Sequence, residues 1–223
     1  EHEIPEIIIV PCNIENSVRD FLSYKKGKKV TVTVPKSGEK KHLLDLVKKN
    51  CEISFFGDMI KVEELQKKLH LNDMPSVIEC FDISHLSGTF TVGAMVQFRN
   101  GKPDKNNYRR FKIKSPEAIQ DDFTSIAEVV RRRYTRLYEE GSPMPDLIII
   151  DGGKGQLSAA LEELNKLSLK IPVISIAKKF EEIYFPGLSK PLRLGRTEKA
   201  LLFIQEIRDE THRFAITYNR KLR

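Results

Sequence analysis

Four residues far apart in the chain, Asp82, Asp122, Asp151 and His212, are of the types that hold a hard divalent cation. Asp82 closes residues 77–82 (VIECFD), which read as a strand, with a tight turn at Ser87-Gly88 and a second long strand beyond. Asp151 closes a fully apolar run at 147–150, the mark of a central strand buried on both faces. An acid at the mouth of a buried strand is costly unless something positive faces it. Each is therefore a turn acid or a cation ligand. Two carboxylates held together repel and raise a pKa unless a cation neutralises them. Such a cation, or a pair roughly 4 Å apart, activates water and stabilises charge on a phosphate displaced in line. Asp82 and Asp151 are the principal candidates, and His212 either ligates or serves as an acid–base partner. Asp122 is the fourth, although Asp121 beside it could take its part. An acid in a helix's first turn is also simply a favourable dipole interaction. Singly, each residue is as well read as a turn or surface group; the pair on neighbouring strand ends carries the metal reading.

Other motifs are less specific. His85, in the turn after Asp82, reads as a packing residue, with support of the site as the alternative. The glycine-rich DGGKGQ at 151–156 lacks the G-x-x-x-x-G-K-[ST] spacing of a P-loop. Its glycines suit close approach of a nucleic-acid backbone to Asp151, with Lys154 near a phosphate. Basic residues gather near the acids in sequence, and the candidate nucleic-acid contacts are Arg109, Arg110, Arg132, Arg133, Lys154, Lys178, Arg208 and Arg213. Charge runs are commonly solvated faces, but Arg208 and Arg213 flank His212, which suits phosphate positioning. The chain has no Trp, which argues against base stacking and for backbone contact with little sequence preference.

The elements that must position these residues follow a clear order. Strands at 77–82, 89–98 and 108–113 are joined by turns rich in Gly, Asn and Pro. A helix over 121–140 keeps helical spacing through Phe123, Ile126, Ala127, Val130, Tyr134 and Leu137. A strand at 147–150, a helix at 156–167, a strand at 172–176, a small hairpin at 182–194 and a long helix from Thr197 to about 218 complete the set. This β-β-β-α-β-α-β-hairpin-α order predicts an α/β ribonuclease H-like fold, a mixed five-stranded sheet with helices on both faces. In it the first and fourth strands are neighbours, so Asp82 and Asp151 meet. Ahead lies a small β-α-β-α segment: strand 6–10, helix 16–25 with Val18, Phe21 and Leu22 inward, strand 28–34, and helix 40–50 with Leu43, Leu44 and Val47 on one face. It reads as the tail of a preceding domain. Residues 51–74, with a basic helix at 62–70, read as a connector, which divides the chain into 1–74 and 75–223.

Composition sets outer limits. The 223 residues are 40% hydrophobic, enough for one good core and a small second one. The net charge of +7 is a moderate basic bias towards a polyanionic partner. No run is long and apolar enough for a membrane span, and no signal-peptide pattern opens the sequence. Three cysteines without CxxC spacing fit a reducing cytoplasm and neither a disulfide framework nor a zinc site. Nothing in the pattern asks for a dimer seam, so a monomer is expected.

Several motifs in order resemble the UvrC family: CFDISH at 80–85, NYRRFKI at 107–113, DDF at 121–123 with VVRRRY at 129–134, IDGGKGQ at 150–156 and IRDETHRFA at 207–215. Residues 34–50 also resemble the segment preceding that family's endonuclease domain. The resemblance implies a ribonuclease H-like endonuclease that makes the 5′ incision beside a DNA lesion in nucleotide excision repair. It implies an Asp-Asp-His set matching Asp82, Asp151 and His212, with a further functional aspartate matching Asp122. A divalent metal, Mg²⁺ or Mn²⁺, damaged double-stranded DNA and the partners UvrA and UvrB are implied too. The GIY-YIG nuclease domain, cysteine-rich segment, UvrB-interacting segment and helix-hairpin-helix pair of the family are not seen. An internal fragment with weak activity and weak DNA affinity on its own is therefore expected. The alternatives are a catalytically silent nucleic-acid-binding module of the same fold, or an RNA or junction nuclease built on it.

Overall fold

The computed structural model describes residues 4–86, 90–115, 121–177 and 181–219. The expected turn at Ser87-Gly88 and Lys178 lie outside them. The chain forms two compact units, Glu1–Gly57 and Asp58–Arg223.

In the first unit, β1 (Ile7–Ile9) and β2 (Thr31–Thr33) pair in parallel, with α1 (Asn16–Lys26) between them in sequence. α1 stops where Gly27, at φ 72°, takes the left-handed conformation that a side chain disfavours. The inward faces expected here are open: Val18, Phe21, Leu43 and Val47 are all exposed.

α2 (Glu39–Leu69) is one helix where two were expected. No proline interrupts residues 36–74, and one interior glycine, Gly57, costs a helix only about 1 kcal/mol. The helix ends at His70, whose φ of 53° turns the chain so that the Leu71 N–H donates to Gln66 O. Its last turns are not a connector: Val62, Leu65 and Leu69 are buried in the core of the second unit. That unit therefore begins at Asp58, ahead of the division expected at 74/75.

Its sheet runs, among the described residues, in the order β5-β4-β3-β7-β8-β9, with β6 also on β4. The strands are β3 (Val77–Leu86), β4 (Phe90–Arg99), β5 (Lys102–Pro103), β6 (Arg109–Lys112), β7 (Leu147–Asp151), β8 (Val173–Ala177) and β9 (Glu182–Tyr184). β3–β7 and β7–β8 are parallel and the other pairs antiparallel. This is the mixed ribonuclease H-like sheet with two short additions, β5 extending the first hairpin and β9 carrying the second. β3 does not stop at Asp82. It pairs with β4 from Val77↔Arg99 to Leu86↔Phe90, so Asp82 lies mid-strand opposite Ala94. What ends near Asp82 is the pairing with β7, at Phe81↔Ile150.

Alternation along the strands sorts side chains to two faces. Ile78, Cys80, Leu147 and Ile149 pack with α5 (Lys199–Asn219) and the end of α2. Phe81, Ile148 and Ile150 pack with α3 (Asp122–Glu139) and α4 (Lys154–Lys166). Asp82 and Asp151 carry the parity of the α5 face. Gly93 lets α3 close onto β4, since a Cβ there would come 2.5 Å from Val129 Cγ2. Glu128 ties α3 to the segment after β6 by accepting from the Lys114 and Ser115 N–H groups.

If Leu65 is core, Leu65→Ala lowers unfolding free energy by about 2–5 kcal/mol, whereas Leu43→Ala, at an exposed site, changes it by under ~0.5 kcal/mol. Urea unfolding of the two variants checks this, and equal small effects would return residues 58–74 to a connector.

Candidate metal centre

Strand register builds the centre. Asp82 and Asp151 follow the last paired residues of β3 and β7, side by side, and face α5. Both are buried, at 3% and 5% exposure, while the His212 side chain above them is 49% exposed. His212 Nδ1 and Asp82 Oδ2 share a hydrogen bond of 3.0 Å. Among the described residues these three form a group whose donor atoms all lie within 4.8 Å of one another, close enough to share one ion. Two carboxylates and an imidazole are a hard oxygen-and-nitrogen set that fits a small divalent cation.

α5 holds His212 in place from both sides. Ile207, Thr211 and Ala215 are buried in the core. Glu210 accepts from Tyr108 Oη at 2.9 Å, and the Tyr108 and Phe214 rings meet edge to face. Ser84, two residues beyond Asp82 on the same strand face, donates to Asp82 Oδ2 at 3.2 Å. That contact was open to sequence reasoning through the two-residue strand period.

The field of the two acids is felt beneath them. Burial pushes the Cys80 thiol far above its ordinary range, and the charges of Asp151 and Asp82 push it further. With Cys12 and Cys51 exposed, all three cysteines are free thiols.

The DGGKGQ segment is a strand-to-helix turn. Gly152 N–H donates to Ile176 O, and Gly153 N–H donates to Gln156 Oε1 at 2.7 Å, capping α4. Gly155 lies close under the Phe123 ring at the start of α3, where a Cβ would come 2.5 Å from the ring. This brings the first turn of α3, with Asp122, against the turn that follows Asp151. Asp121 is the N-cap of α3, accepting from Phe123 N–H, Thr124 N–H and Thr124 Oγ1, which hold its carboxyl below the usual range. It is thereby committed to capping α3. Asp122 is not one of the three clustered groups, since α3 packs on the opposite face of the sheet.

The candidate nucleic-acid contacts divide. Lys154 is exposed at the N-terminus of α4. Arg110 is exposed and lies over the Phe214 ring, 4.0 Å from its centre. Arg109 donates to Asn106 O and Tyr108 O. Arg132 donates to Lys112 O and to the buried Glu128. Burial alone would raise Glu128; the Ser115 and Lys114 N–H groups and Arg132 hold it below its usual value. Arg213 is paired with Glu210, and Arg208 with Glu181 and Asp209. Arg133 does not fit a nucleic-acid role. It is 11% exposed and paired with Glu79, itself 1% exposed and bonded by Tyr134 Oη at 2.9 Å. A charge in a buried pair is a structural group.

A family model described as the UvrC RNAse H endonuclease domain matches residues 66–216, and one described as the UvrC Ribonuclease H-like domain matches residues 1–56. UvrABC system protein C of Methanosarcina acetivorans is 68% identical over 223 residues, covering 100% of this chain and 43% of that protein. The protein of the same name from Treponema denticola is 54% identical over 167 residues, covering 75% of this chain and 26% of the other. The chain thus spans less than half the length of these relatives. Among solved structures, Endonuclease V of Bacillus subtilis aligns with a TM-score of 0.40 at 12% identity, covering 71% of this chain and 91% of that one.

Removing one partner of the buried pair separates structure from binding. Arg133→Ala lowers stability by about 3–5 kcal/mol, because Glu79 is left charged and buried. Metal affinity of the folded fraction stays unchanged. Thermal unfolding and calorimetry check both, and a stable variant that loses only DNA affinity would restore Arg133 as a contact.

Proposed function

The chain belongs to the UvrC family, and on that premise we propose that residues 58–223 are a divalent-metal-dependent DNA endonuclease unit that makes the 5′ incision during nucleotide excision repair. The observation that supports this reading most is the convergence of Asp82, Asp151 and His212 from three separate elements within 4.8 Å. Mg²⁺ or Mn²⁺ bound there would supply a water of lowered pKa and Lewis-acid stabilisation of the phosphate being displaced.

The chain's own residues do the rest. Asp82 and Asp151 provide the negative charge that selects a cation, and their burial strengthens that attraction over bulk water. Ser84 and His212 fix the Asp82 carboxylate through Oδ2. The half-exposed imidazole of His212 stands on the side from which a phosphodiester would arrive, able to ligate or to move a proton. Beside Asp151, Gly152 leaves room for the Gln156 amide, whose Oε1 a Cβ there would meet at 2.1 Å, and Lys154 offers a charge to a backbone phosphate. Damaged double-stranded DNA is the substrate in this reading, with UvrA and UvrB as partners. Contacts are made to the backbone, so binding falls steeply with salt. No helix among the described residues is long and apolar enough to cross a membrane.

Single-turnover cleavage of a damaged duplex with Mn²⁺ tests the proposal, with RNA–DNA hybrid and junction substrates alongside. Asp151→Asn is expected to lose about a thousandfold in rate, the several kcal/mol that a metal supplies. Preferred cutting of the hybrid or junction, or equal rates for wild type and variant, would overturn it. A bound but uncut duplex would favour the silent binding module.

A further inference from the structure

Phe123 stands in the first turn of α3, yet it is 51% exposed, whereas Ile126, Val130 and Tyr134 further along the helix are buried. Among the described residues, the second unit has two strongly exposed aromatic residues, Phe123 and Tyr138, at opposite ends of α3. Phe123 is the one at the rim of the metal centre. A ring left half in water adds little to the core. Its backbone is nonetheless fixed, because the Phe123 N–H donates to Asp121 Oδ1 at 3.2 Å.

The ring is seated on bare backbone. A Cβ on Gly155 would come 2.5, 2.8 and 3.2 Å from the ring atoms Cε1, Cζ and Cδ1, so one edge of the ring rests on that glycine. Gly155 follows Asp151 by four residues, and Cα steps of about 3.8 Å place it no more than about 15 Å from that acid. Lys154, beside Gly155, is exposed, and its ammonium has no acid partner among the described residues. An aromatic surface and an uncommitted cation are thus held side by side near the proposed cut. A nucleotide carries the complement of both, a base with a π-face and a phosphate. In a regular duplex the faces of a base are covered by its neighbours. Only a base that has lost a neighbour, as in a distorted duplex, can meet the ring.

We propose that Phe123 is a stacking surface for one unstacked base of the substrate strand, with Lys154 on a phosphate of the same strand. This inference rests on the DNA-endonuclease reading above and adds a base contact to the backbone contacts described there. At about 3.4 Å of rise per nucleotide, the span from Asp151 to Gly155 limits that base to a few nucleotides from the cut. The chain lacks Trp, and a half-exposed Phe takes its place as the stacking ring. Because every base has a π-face, the contact reads distortion and not sequence.

Fluorescence anisotropy on the whole chain tests this with a short thymidine strand and an abasic strand of equal length, which carries the same phosphates without bases. No divalent metal is added, so nothing is cut. The wild type is expected to bind the thymidine strand about tenfold tighter than the abasic one. Phe123→Leu, which stays apolar but has no π-face, is expected to bring that ratio below about twofold, and Phe123→Tyr to keep it. Circular dichroism and Mn²⁺ calorimetry are expected to match the wild type in both variants. Equal binding of the two strands by the wild type, or a preference that survives in Phe123→Leu, would overturn the proposal. A Phe123→Leu chain that unfolds or loses Mn²⁺ would show a structural residue and overturn it too. A wild type whose preference depends on Phe123, but which leaves damaged duplex uncut with Mn²⁺, would instead overturn the endonuclease reading alone.

Discussion

Two like charges are held side by side at the centre of the sheet. Asp82 and Asp151 occupy neighbouring parallel strands, both buried, both facing α5. Burying one carboxylate is costly and placing a second beside it costs more, so such a pair persists only where the rest of the fold enforces it. Here the enforcement is the register of β3 on β7, fixed at its start by Asp146, which accepts from the Ser76 and Val77 N–H groups. A slip of β3 by one residue would turn Asp82 to the other face, away from Asp151, and the apolar residues of β3 with it.

The surroundings are arranged around that pair. Ser84 and His212 bond one oxygen of Asp82, and Arg208, one helical turn before His212 on α5, is tied to Glu181. On the opposite face, Gly93 and Gly155 admit α3 closely and bring its first turn, with Asp122, to the rim. The ion pair of Arg133 with Glu79 lies towards the other end of β3 and belongs to the scaffold. The positive charge around the site is therefore mostly committed to acids within the protein. Net charge on its own says little about which arginines are free to bind.

Much of this was legible in the sequence. The run at 147–150 announces a central strand, and the element order announces its neighbour, so the meeting of Asp82 with Asp151 follows from topology. His212 was reachable because a long amphipathic helix must cover that face. Strong periodicity also placed α3, α4 and α5 to within a few residues. What sequence could not show were properties of pairing. The length of β3 is set by β4, which carries it past Asp82. The burial of Val62, Leu65 and Leu69 depends on a sheet that begins only at Val77, so a helix that looked basic and peripheral proved to be core. The openness of Val18 and Phe21 is the reverse case, an amphipathic pattern whose apolar face stays exposed. Arg133 and Arg132 sit in one basic run; Glu128 is readable as the i,i+4 partner of Arg132, whereas only three-dimensional contact reveals Glu79 as the partner of Arg133.

The central claim is that Asp82, Asp151 and His212 form one cation site. Anomalous diffraction from crystals soaked in Mn²⁺ tests it most directly. A peak is expected within coordination distance of both carboxylates and close to His212, lost in Asp151→Asn crystals soaked alike. A map with no peak there while the two carboxylates keep their positions, or with Mn²⁺ held only by other acids, would contradict it.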